Sequence, residues 1–138
     1  MATSQQVRST LTRALVAWSV GSLAAGAAVL SRRPGPLGTG LARQAVAWGA
    51  VDLAIAGLSL RPRTPVVDEA GEARSLRRLL LVNAVLDVGY VAAGAWLWRA
   101  RRVRGRDSTG DGAGVLVQGA FLLLLDTTQA ARLRTTRL

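Results

Sequence analysis

Asp52, Asp87 and Asp126 each stand inside a long apolar stretch of a 138-residue chain. Amides and a phenol surround them in sequence. Gln44 lies eight residues before Asp52, Gln118 eight before Asp126, Asn83 four before Asp87, and Tyr90 three after it. A carboxylate in apolar surroundings is costly and points to a proton, ion or ligand site. A desolvated carboxylate beside others also ionises with difficulty. No arginine lies among these aspartates, the nearest being Arg13 at the start of the first apolar block, and the chain has no lysine or histidine. The three aspartates are therefore expected to carry protons, to hold a metal ion or other cation or a small cationic ligand, or to be reached by water. The alternative role is structural. Buried Asp, Asn, Gln and Tyr side chains bond across helices and set their register, each bond contributing about 1 kcal/mol in a membrane.

Other chemistry is excluded by composition. With no cysteine there is no disulfide, iron–sulfur cluster or thiolate nucleophile, and with no histidine the commonest metal ligand and general base is missing. No nucleophile–base pair is visible, so no catalytic residue is assigned and no cofactor is expected. Asp107, Asp111 and Gly112 supply too few ligands for a calcium loop, which also needs a terminal glutamate.

The elements that must position the aspartates are four apolar blocks separated by charge. The stretch Leu79–Trp98 has twenty residues, all apolar or glycine except Asn83, Asp87 and Tyr90. At about 1.5 Å per residue it covers about 30 Å, the thickness of a bilayer's hydrocarbon core. The blocks are apolar nearly all round, whereas helices of a soluble bundle keep one charged face. The expected fold is all-α, a four-transmembrane-helix bundle forming one membrane domain over 1–138, with helices at about 14–30, 41–60, 68–98 and 113–131. The first helix is read as retained rather than as a cleaved signal segment, since Ser31-Arg32-Arg33 ends it without a small-x-small cleavage site. Its Ala17, Gly21 and Ala25 recur every fourth residue, a spacing that admits a close helix neighbour.

Between the blocks, 31–40 reads as a loop because Pro34, Gly35, Pro36, Gly38 and Gly40 oppose a helix. Residues 68–78 read as a solvated, charged extension of the third helix, with Asp68, Glu69 and Glu72 early as the helix dipole prefers. Residues 99–112 read as an arginine run leading into a glycine-rich turn. Trp96 and Trp98 suit an interfacial belt. Trp18 and Trp48 lie deeper, and packing is their default role, with a ligand pocket as the alternative.

The shared Gln–x7–Asp spacing of the second and fourth helices suggests two hairpins, 1–2 and 3–4, related as a parallel repeat; chance is the other explanation. Centring each apolar block places Asp52 and Asp87 about 2 Å from mid-membrane and Asp126 about 6 Å, all toward the face bearing the termini. Gln44 and Gln118 then fall across the midplane.

The net charge of +10 comes from eighteen arginines. They bracket the apolar blocks, where they can snorkel to anionic headgroups. That placement argues for a lipid bilayer with anionic headgroups as the partner and against nucleic acid; a homo-oligomer or a membrane partner protein stays open. Ten arginines fall on the face with both termini and the middle loop and eight on the other, which favours cytoplasmic termini by a narrow margin.

At Trp48-Gly49-x-x-Asp52, Asn83-x3-Asp87-x2-Tyr90 and Gln118-Gly119-x-Phe121…Asp126, the chain resembles an uncharacterised family of small bacterial four-helix integral membrane proteins. The resemblance covers most of residues 14–131. It implies an integral membrane protein of a bacterial inner membrane, and it implies no activity. Two function classes follow from the residues: a binding or transport protein built on Asp52, Asp87 and Asp126, or a structural or accessory membrane subunit.

Overall fold

A computed structural model describes residues 2–133. Its helices are α1 (Ser4–Ser31), α2 (Pro36–Ser59), α3 (Glu69–Ala100) and α4 (Thr109–Arg132), and a two-stranded antiparallel hairpin, β1 (Arg102–Val103) with β2 (Arg106–Asp107), joins α3 to α4. All four helices are long and apolar enough to cross a membrane. The fold is an all-α four-helix bundle with the architecture of a multi-pass membrane protein. Only 11% to 33% of each helix's apolar window is buried inside the protein, so most of the apolar surface faces outward. Val85 and Leu124 are among the side chains on that surface, which suits lipid rather than water.

Three helices begin earlier than the sequence suggests. α1 starts at Ser4, not near residue 14, because Thr3 and Gln6 form a reciprocal capping box. Its first turns then find partners. Val7 packs with Leu76, Leu80, Ala130 and Leu133. The Ser4 hydroxyl donates to Glu69 at 2.9 Å, the Ser4 amide donates to the same carboxylate, and Arg8 pairs with Glu72. The start of α3 is therefore docked against α1 rather than freely solvated.

The expected loop at 31–40 shrinks to four residues. Pro36 occupies the first turn of α2, where its missing N–H costs nothing, and Gly35 caps it in extended backbone. Gly40 is retained inside the helix for close packing. A Cβ there would stand 2.7 Å from the Asp111 amide nitrogen and 2.8 Å from Gly110 Cα. α4 likewise runs from Thr109 through Gly110, Gly112 and Gly114. Helix propensity disfavours these glycines by about 1 kcal/mol each in water, yet they let the backbones of α2 and α3 approach on opposite sides. The preceding hairpin turns at Arg104 and Gly105, both with positive φ (52° and 76°), the conformation of a tight two-residue turn.

α1 packs antiparallel along α2, and α3 along α4, giving two helical hairpins. The hairpins dock mainly through α2 and α4, which run parallel, with α1 and α3 outside them. Gly49 rests on the Ser19 carbonyl, and Gly26 faces Ala42 and Val46. These glycines, not Ala17, Gly21 and Ala25, carry the close approach of α1. That predicted stripe is exposed, and a Cβ on Gly21 would meet nothing within 4 Å. Arg134 and Arg137, two of the ten arginines counted for the terminal face, lie outside the described residues.

Candidate functional site

Asp52 comes from α2, Asp87 from α3 and Asp126 from α4, and their exposures are 2%, 3% and 7%. Each is buried because it points into the seam between hairpins while its helix neighbours face outward. Asp87 lies within electrostatic range of Asp52 and of Asp126, and the Asn83 amide stands beside the Asp126 carboxyl. The carboxylates thus form a row with Asp87 in the middle. Among the described residues no group of three acidic side chains converges tightly enough to hold a metal ion.

The amides divide. Gln118 joins the row, its Nε2 donating to Asp52 Oδ2 at 2.5 Å. Its Oε1 accepts from Trp18 Nε1 at 2.7 Å, and the Trp18 ring stacks on Phe121 with centroids 4.0 Å apart. Trp18 is thus a member of the site that sequence reasoning treated as packing. The available signal was an indole N–H in an apolar stretch, which needs an acceptor when buried. Gln44 leaves the row. Its Nε2 donates to Asp111 Oδ1 at 3.0 Å, and Arg43 donates to Asp111 Oδ2 at 2.5 Å. Together they bind the start of α4 to α2 near the other face, and Asp111 is occupied there rather than free for calcium.

This division also bears on the repeat. Gly40 meets Gly110, and a Cβ on Gly114 would meet the side chain of Gln44. Gln118 is therefore one helical turn, about 6 Å, beyond the level of Gln44. The hairpins pair as a repeat would require, but the matched Gln–x7–Asp pairs occupy different levels and have different partners. Tyr90 also departs from the row. It is 38% exposed, and its ring meets Trp48 edge-on at 5.3 Å.

One atom of the row is unsatisfied. Asp87 Oδ2 is buried and has no hydrogen-bond partner among the described residues. Leaving a buried carboxylate oxygen bare is expensive. The arrangement accommodates a proton on Asp87, or a small donor placed against that oxygen.

A protein-family model, "Family of unknown function (DUF6992)", matches residues 14–127. No curated protein and no solved structure matches the chain.

Proposed function

Since the chain belongs to this family of unknown function, and the family supplies no activity to inherit, we propose a function from the side chains themselves: a small multi-pass membrane protein that binds a proton, or a small cationic ligand in its place, at Asp87 between Asp52 and Asp126. The bare Asp87 Oδ2 carries this reading. A proton on Asp87 removes the charge that apolar surroundings penalise and makes a donor for a neighbouring carboxylate. A small ammonium ligand would serve the same oxygen. The row's separation does not favour a metal ion. In this reading the protein resides in a bacterial inner membrane with cytoplasmic termini, and its arginines meet anionic headgroups.

The test is infrared titration of the protein in lipid films. Wild-type protein is expected to show a protonated-carboxyl band that fades as pH rises, and Asp87→Asn is expected to lose it while far-UV circular dichroism stays helical. A wild-type spectrum with no such band, or a band unchanged in Asp87→Asn, overturns the proposal.

A second reading is favoured by the Trp18–Gln118–Asp52 chain of hydrogen bonds, which ties α1 and α2 to α4 and suits a register-setting role. On that reading the protein is a structural or accessory subunit, and Asp87→Asn changes yield or stability without affecting any proton-linked signal.

A further inference from the structure

On the outer side of α3, Arg74, Arg77 and Arg78 stand directly above Leu81, Val82, Val85 and Leu86, and together they line a groove of about 650 Å³. The spacing explains the shared face. Positions 74, 78, 82 and 85 follow one another at four, four and three residues, and 77 and 81 run alongside, so one helix stripe changes from cationic to apolar within a turn. The acidic residues of this segment are elsewhere: Asp68 accepts the Gly71 amide, and Glu69 and Glu72 are engaged by Ser4 and Arg8 on α1. Among the described residues no carboxylate lines the groove. Val82, Val85 and Leu86 are 54%, 72% and 57% exposed. Arg77 Nε is buried and has no hydrogen-bond partner among the described residues.

We propose that this groove binds one anionic phospholipid, its phosphate held by Arg74, Arg77 and Arg78 and an acyl chain lying along Leu81, Val82, Val85 and Leu86. The occupant follows from the layout. Three guanidiniums with no acidic groove neighbour among the described residues call for an anion, and the guanidinium fork matches a phosphate. The apolar half asks for hydrocarbon continuous with that anion. The arginines fall just outside the Leu79–Trp98 span, which is headgroup depth. A soluble phosphate would satisfy the upper half only. The groove volume lies in the range of ordinary small-molecule clefts. This site lies on the outer face of α3 and does not depend on the carboxylate row.

The test is native mass spectrometry of the detergent-solubilised protein titrated with phosphatidylglycerol or with phosphatidylcholine of the same chains. Wild-type protein should retain phosphatidylglycerol preferentially. Each arginine removed should weaken retention about fivefold, so Arg74→Gln/Arg77→Gln/Arg78→Gln together should weaken it about a hundredfold. The control Arg101→Gln/Arg102→Gln/Arg104→Gln should change it less than about threefold, since those residues lie outside the groove. The single change Arg77→Gln serves if the triple variant fails to fold. Equal retention of phosphatidylcholine, equal losses in groove and control variants, or full displacement by glycerol phosphate would each overturn the proposal.

Discussion

Replacing Gly112 by alanine should loosen the contact between α3 and α4. A Cβ at that position would stand 2.8 Å from the Gly94 carbonyl oxygen and 2.9 Å from Trp98 Cα, with the Trp98 amide nitrogen closer still. Ordinary contact begins at 3.4 Å, so the nearer of these two distances falls short by 0.6 Å. Every one of these atoms is backbone, and no side-chain rotation can relieve the clash. The helices must part, and the Gly94–Leu116 and Gly119–Val91 contacts farther along the same interface part with them. Overpacking of this kind costs about 1–3 kcal/mol, a roughly 5- to 150-fold change in the unfolding constant. The assay is equilibrium unfolding in mixed micelles, with Gly21→Ala as reference because a Cβ there meets nothing within 4 Å. The reference change should not destabilise, since alanine is the better helix former by up to about 1 kcal/mol. If Gly112→Ala proves no more destabilising than Gly21→Ala, the close α3–α4 approach is wrong.

Gln118→Leu should cost about 1–3 kcal/mol in the same assay, since it strands both Asp52 and the Trp18 indole N–H; Asp52→Leu/Gln118→Leu should cost less than the sum of the single changes. Glu69→Ala frees the amide and hydroxyl of Ser4 and should speed hydrogen exchange over residues 4–8, whereas Arg8→Ala should cost no more than about 1 kcal/mol because that pair is partly exposed. Asp107 is held below the usual carboxylate range, chiefly by accepting the Thr109 hydroxyl and then its amide. A lowered folded-state value means its contribution is full above the unfolded carboxylate range, about pH 4, and is lost as pH falls through the folded one. The protection factor of the Thr109 amide, its exchange corrected for the intrinsic pH dependence, should therefore fall in acid, and Asp107→Asn should flatten that dependence.

Much of the architecture was legible because apolar runs bounded by arginines report bilayer spans directly; Leu79–Trp98 falls wholly within α3. Helix starts were less legible. Pro36, Gly40 and Gly110 read locally as breakers, and only the partner helix reveals why glycine is retained in a helical turn. The first turns of α1 fall outside the expected helix at about 14–30 because their partners, Glu69, Glu72 and Leu133, are remote in sequence. The burial of Asp52, Asp87 and Asp126 followed from their intramembrane positions. The destinations of Gln44 and Gln118 did not, since identical spacing to an aspartate carries no information about the register between α2 and α4.

The segment joining the hairpins, residues 60–68, is exposed at every position. It contributes no side chain to the seam, which α2 and α4 close at Gly40–Gly110 and Asp52–Gln118, and α1 and α3 close at Ser4–Glu69. The connection therefore acts as a tether that raises the effective concentration of one half near the other without dictating how they fit. Proteolytic nicking within this tether would sever the covalent chain and leave the non-covalent joint between the halves intact, so the bundle is in physical terms an intramolecular heterodimer.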